Sequence, residues 1–123
     1  VHRKLRLRNR KDFSRVYRGG RSFANSQLVV YWSKKSDIPQ FRLGVSVSKK
    51  LGNAVFRNRM RRVLKEIVRL NADRIAEHTD LILIARKPSV RMSSQELEKS
   101  VMHVLKKANL LKPRPPRPPR PPS

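Results

Sequence analysis

Three histidines (His2, His78, His103) and four aspartates (Asp12, Asp37, Asp73, Asp80) are among the side chains here whose types could move a proton or hold a cation. Their spacing supports neither role. No histidine has a carboxylate at a telling separation, and the aspartates show no paired-carboxylate or metal-ligand pattern. A lone histidine is more often structural or simply exposed. Gly44 and Gly52 do not form a phosphate-binding loop, because the GxxxxGK[ST] pattern is absent. The sequence contains no cysteine, which removes thiol catalysis, a disulfide scaffold and any cysteine-based zinc site. No catalytic residue and no metal ligand can be assigned. If the chain takes part in catalysis, another molecule supplies the reacting groups.

What the sequence does carry is positive charge. Of 123 residues, 31 are Lys or Arg and 8 are Asp or Glu, a formal net charge of +23. That much like charge repels itself in a compact state and becomes favourable beside a polyanion, where each neutralised phosphate releases counterions. Nucleic acid is the first partner to consider and an anionic membrane the second. The charge is densest over residues 49–69, with eight basic residues and one acid, Glu66. On a helical wheel Asn58, Arg62, Lys65 and Arg69 lie opposite an apolar stripe of Met60, Val63, Leu64 and Ile67, with Arg57 and Arg61 flanking. Charge runs on helices are ordinarily solvated faces. Such faces interleave acids as i, i+4 partners, however, and only Glu66 is present. A phosphate partner accounts better for the repulsion, and the planar arginine fork suits bidentate phosphate contact. A membrane-surface helix would need apolar residues free to insert, whereas this stripe is required to cover a sheet.

Aromatic residues supply a second clue. Phe13, Val16 and Tyr17 share a helix face at i, i+3, i+4, and Tyr31 points away from Val30 and Trp32 on an alternating strand. Phe at helical spacing is commonly core. The functional reading is a stacking platform for unpaired bases, the usual grip on single-stranded RNA, with Arg15 and Arg18 beside it to take phosphates.

The elements that must position these residues follow from local signals. A basic arm covers residues 1–8, and a short helix covers 9–18, stopped by Gly19 and Gly20. Alternation marks strands at 26–32 and 42–48, which are expected to be antiparallel neighbours joined by a hairpin loop at 34–40. Asn53 is the N-cap of a long helix running to about Asn71. The run Leu81, Ile82, Leu83, Ile84 suits a strand buried on both faces. Ser93, Ser94, Gln95, Glu96 match a capping box opening a helix with Leu97, Val101, Val104, Leu105 and Ala108 on one side. The order helix, strand, strand, helix, strand, helix implies one α+β domain, with helices packed on a small mixed sheet. The domain is expected over residues 1–111. Residues 112–123, with the repeat PRPPRPPRPPS, read as a polyproline II-like or disordered tail. No apolar run approaches the roughly 20 residues needed to span a bilayer, and no signal-peptide pattern opens the chain. A cytoplasmic location is expected.

The block SVSKKLGNAVFRNRMRR at 46–62 closely resembles the signature region of the bacterial ribonuclease P protein family, with Arg57, Asn58 and Arg59 as its hallmark triplet. Asp12, Phe13, Val16, Tyr17 and Gly20 resemble the family's first helix, and DLILIARKP at 80–88 resembles its third strand and exit. The resemblance spans roughly residues 3–112. It implies an α-β-β-α-β-α sandwich with a left-handed βαβ crossover, against the usual right-handed rule. It implies a protein subunit that binds a catalytic RNA and the 5′ leader of precursor tRNA, in an endonuclease whose RNA hydrolyses the phosphodiester with Mg2+. The implied partners are ribonuclease P RNA and precursor tRNA, with a dimeric holoenzyme left open and no membrane. Carried over as RNA-subunit contacts are Lys49, Lys50, Arg57, Asn58, Arg59, Arg61, Arg62 and Lys65, and the wheel adds Arg69. Phe13, Tyr17 and Tyr31 match the aromatic positions of the leader cleft, with Tyr17 standing where many relatives have Phe, and Arg15 and Arg18 lie beside them. The proline–arginine tail has no counterpart in the family. A basic ribosomal protein binding rRNA and an architectural DNA-binding protein are the rival readings, and the Arg57, Asn58, Arg59 block argues against both.

Overall fold

The computed structural model describes residues 6, 7 and 9–112. Most of the basic arm, and the proline–arginine tail for which a polyproline II-like or disordered conformation is expected, lie outside the described residues. The first helix, α1 (Arg10–Gly19), starts where the Asn9 side chain accepts the Lys11 N–H at 2.9 Å. It ends where the Gly20 N–H donates to the Val16 carbonyl at 3.0 Å. A Cβ on Gly20 would lie 2.4 Å from the carbonyl oxygens of both Val16 and Trp32, so no larger residue fits where the chain turns into the sheet.

A strand not expected from the sequence follows at once, β1 (Arg21–Ala24). Its only large apolar residue is Phe23, too little for an alternation to be visible. Asn25 then builds a tight turn, its side-chain oxygen accepting the N–H groups of Gln27 at 2.9 Å and Leu28 at 2.7 Å. This turn moves the next strand, β2 (Leu28–Lys34), two residues beyond the start expected at 26. The third strand is β3 (Phe41–Ser46).

β2 and β3 are not the antiparallel neighbours expected. The strand β4 (Thr79–Ala85) lies between them, antiparallel to β2 and parallel to β3, in the order β1-β2-β4-β3. The composition of β4 explains this. Leu81, Ile82 and Leu83 are fully buried, so both faces of the strand need cover, and a central position supplies it. The connection at 34–40 is therefore not a hairpin but a wrap around the start of β4. The Lys35 N–H donates to the His78 carbonyl at 2.7 Å and the His78 N–H to the Gln40 carbonyl at 2.8 Å.

The long helix α2 (Ala54–Leu70) is capped by Asn53, whose side chain accepts the Phe56 N–H at 2.9 Å. It connects the parallel pair β3 and β4. The last helix, α3 (Ser94–Lys107), opens with the expected capping box of Ser93 and Glu96. Helices α2 and α3 cover one face of the sheet, where Leu28, Val30, Leu43, Leu81 and Leu83 meet Met60, Leu64, Val101 and Val104. Helix α1 covers part of the other face, where Val16 and Leu7 pack on Ile82. The result is a mixed α+β fold of three helices on a four-stranded mixed sheet.

Candidate RNA interface

Strand register arranges the α1 face of the sheet into cross-strand rows. Ser33, Asp80 and Arg42 form the first, Tyr31, Ile82 and Gly44 the second, and Val29, Ile84 and Ser46 the third. Helix α1 lies over the first two. The third is half-buried, the degree of exposure that the floor of a cleft beside the helix would have. Phe13 sits directly on Gly44, where a Cβ would come within 2.4 Å of its ring. Tyr17, 41% exposed, overhangs the floor. Its ring meets Tyr31 edge-on at 5.0 Å and lies 6.5 Å from Phe13. The three aromatics singled out in the sequence are thus brought together on one wall, leaving Tyr17 the most accessible. Burial pushes the Tyr17 hydroxyl above its ordinary range, Tyr31 adds to the shift and Ser46 acts against it. The phenol therefore stays neutral near physiological pH. Val29, Ile84 and Ser46 were missed as site residues, although period-two alternation from Tyr31 places Val29 on the same face.

The two arginines of α1 diverge. Arg18 is exposed at the end of the helix. Arg15, expected to take phosphates, instead turns inward. Its Nη1 donates to Ser33 Oγ at 3.1 Å, its Nη2 pairs with Asp80, and its Nε is buried with no hydrogen-bond partner among the described residues. Asp80 is fully buried and also receives a bidentate pair from Arg42. Arg42 reaches Asp12 of α1 at 3.5 Å as well. The carboxylates of Asp12 and Asp80 are therefore turned to guanidinium groups and do not suit a divalent cation. Among the described residues no group of three His, Asp or Glu side chains could hold a metal ion.

The third row opens toward the basic segment, since Ser46 precedes Lys49 by only three residues. Ser48 accepts the Lys50 N–H at 3.2 Å and starts a short 3-10 turn, Lys49–Leu51, that leads into α2. Lys49, Lys50, Asn58, Arg59 and Arg62 are exposed, and Arg57, Arg61 and Lys65 are half-buried. Arg61 donates to the Asn58 side chain at 2.8 Å, which fixes the direction of its guanidinium. Arg6, overlooked in the sequence, joins Asn58, Arg61, Arg62, Lys65 and the single acid Glu66 around a hollow on this side of α2. Val55, 71% exposed, gives the cluster an apolar spot. Arg69 stands apart at the far end of the helix, its Nε donating to Glu66 at 2.9 Å. Its charge is largely offset there.

No helix among the described residues is long and apolar enough to cross a membrane. A cationic helix and an aromatic cleft on one small α+β scaffold define an RNA-binding subunit. The chain belongs to the ribonuclease P protein family, whose model, Ribonuclease P, matches residues 1–109. The ribonuclease P protein component of Listeria welshimeri is 45% identical over 115 residues, covering 94% of this chain and 97% of that protein. The solved Staphylococcus aureus RNase P protein superposes with a TM-score of 0.83 at 42% identity, covering 88% of this chain and 98% of that one. The RNase P protein from Thermotoga maritima gives a TM-score of 0.77 at 32% identity, covering 83% and 96%. The role is that of the protein subunit of ribonuclease P, the tRNA 5′-processing endonuclease, with an RNA partner in the holoenzyme.

Proposed function

We propose that the two halves of the interface bind two different RNAs. The basic turn and α2, through Lys49, Lys50, Arg57, Asn58, Arg59, Arg61, Arg62 and Lys65, hold the ribonuclease P RNA, with Arg69 a weaker contributor because of Glu66. The cleft of Phe13, Tyr17 and Tyr31, with Arg18 at its rim, holds the single-stranded 5′ leader of precursor tRNA. The observation that carries this reading is the open third row, with aromatic rings on one wall, running toward Lys49 and Lys50. Bases can stack there while the phosphates following them meet cations. Binding energy realised on the leader, away from the scissile bond, favours precursor over product.

Catalysis belongs to the RNA in this proposal. The RNA holds the Mg2+ ions and hydrolyses the phosphodiester, leaving a 5′ phosphate on the tRNA and a 3′ hydroxyl on the leader. The protein screens the repulsion between two polyanions. The test is cleavage of precursor tRNA by a bacterial ribonuclease P RNA at low magnesium, with and without this chain, beside a protein-only control. Cleavage that requires both components is the expected result. Absence of stimulation would favour an rRNA-binding role, and cleavage by the chain alone would place an active site within it.

A further inference from the structure

Helix α1 carries Phe13 and Tyr17 yet is attached to the sheet by little apolar surface. Val16 is its buried residue, and Phe13 rests on Gly44 without being fully covered. The remaining attachment is ionic and converges on one atom group. Asp80, fully buried in the central strand, takes Arg15 from α1 and Arg42 from β3. Arg15 also reaches Ser33 on β2 at 3.1 Å, and Arg42 reaches back to Asp12 on α1 at 3.5 Å. A helix and three strands are thereby fastened in a single row, one row away from the Tyr31, Ile82, Gly44 row on which the aromatic wall stands. Arg15 lies two residues from both Phe13 and Tyr17 on the helix, and Asp12 adjoins Phe13, so a shift at the ionic row moves both rings.

We propose that Arg15 and Asp80 are positioning residues that set the height of α1 over the sheet and so aim Phe13 and Tyr17 into the leader cleft, with Arg15 making no phosphate contact. The inference rests on the leader-cleft reading. Its geometric basis is the orientation of Arg15, whose Nη groups face Ser33 and Asp80 and whose Nε is buried. With one bond from each Nη group held inside the protein and Nε out of solvent, the guanidinium is anchored toward Ser33 and Asp80, although 34% of the side chain stays exposed. Sequence proximity to the aromatics had suggested the opposite role.

The experiment uses holoenzyme reconstituted with the RNA subunit and measures affinity for precursor tRNA and for mature tRNA across a salt series. Arg15→Met is the main variant. It leaves Asp80 with both bonds from Arg42, so the fold is retained. The expected result is loss of the preference for precursor, with the salt slope unchanged. Phe13→Ala alone is expected to lower precursor affinity roughly 5- to 150-fold, the factor for one stacked base. Adding Arg15→Met to the combined Phe13→Ala and Tyr17→Ala variant should lose no more, because both rings that Arg15 aims are already gone. Asp80→Asn keeps both arginines and raises the local positive charge, and it too should lose the preference. A phosphate contact predicts that Asp80→Asn holds or improves precursor affinity.

A salt slope reduced by about one in Arg15→Met, with a loss additive to that of the combined Phe13→Ala and Tyr17→Ala variant, would make Arg15 a phosphate contact and overturn the proposal. Equal losses on precursor and mature tRNA would also overturn it, since the ionic row would then support only the fold. If the unsubstituted protein itself shows no preference for precursor, the leader-cleft reading fails and the inference falls with it. That outcome is seen before any variant is made.

Discussion

Arg42 meets both carboxylate oxygens of Asp80, Nε to Oδ1 and Nη2 to Oδ2, each at 2.7 Å. The two residues are register partners across the parallel pair β3 and β4. Asp80 is shut off from water, and its hydrogen bonds hold the Arg42 guanidinium above its ordinary range, with burial opposing and Asp12 assisting. A buried carboxylate stripped of such a partner keeps its desolvation cost without the compensating attraction.

Arg42→Met is therefore expected to destabilise the protein by about 3 kcal/mol, the lower end of the range for breaking a buried pair, because Arg15 still faces Asp80. Urea unfolding reads this directly, and a midpoint unchanged from that of the unsubstituted protein would show the pair to be energetically idle.

Gly44→Ala places a methyl within 2.4 Å of the Phe13 ring. The ring must lift from the sheet, and overpacking of this kind costs roughly 1–3 kcal/mol. A lower melting temperature is expected, together with weaker binding of precursor but not of mature tRNA. Equal binding of both RNAs to the variant and its parent would mean that Phe13 can move without consequence for the leader.

Two arginines on one helix should behave differently toward the RNA subunit. Arg62 is exposed and has no acidic partner among the described residues. Arg62→Ala is expected to weaken binding by about 1.5–3 kcal/mol, the range for a hydrogen bond to a charged group, and to lower the salt slope by about one phosphate. Arg69 is already paired with Glu66, so Arg69→Ala should change the slope less. Titrations of the RNA subunit at several salt concentrations compare them, and identical slopes for both variants would remove the distinction.

The capping box gives α3 a pH dependence of known sign. The Glu96 carboxylate accepts the Ser93 N–H at 3.0 Å, and bonds to Ser93 hold it below the usual carboxylate range. A depressed folded-state value means that the contribution is present above the unfolded value and is lost as pH falls through the folded one. Thermal melts should thus show α3 weakening only on acidification below the ordinary glutamate range. Glu96→Gln should flatten that part of the profile, and an unaltered profile in the variant would assign the dependence to other carboxylates.

The sequence by itself determined whatever is encoded within a few residues. The caps at Asn53 and Ser93, the α2 stripe and the doubly buried β4 were all legible, because side-chain-to-backbone bonds and hydrophobic period are local. The cationic segment and the three aromatics were legible for the same reason. Strand order was not. Nothing between residues 34 and 40 records that a strand beginning at Thr79 will lie between β2 and β3, since that choice depends on covering both faces of β4 at once. The role of Arg15 was not legible either. Read locally it is a cation beside two aromatic rings, but its partner Asp80 is 65 residues away and the companion pair from Arg42 spans 38. Only the tertiary fold brings those charges together, and a buried carboxylate with no water to solvate it then dictates where the arginines must point.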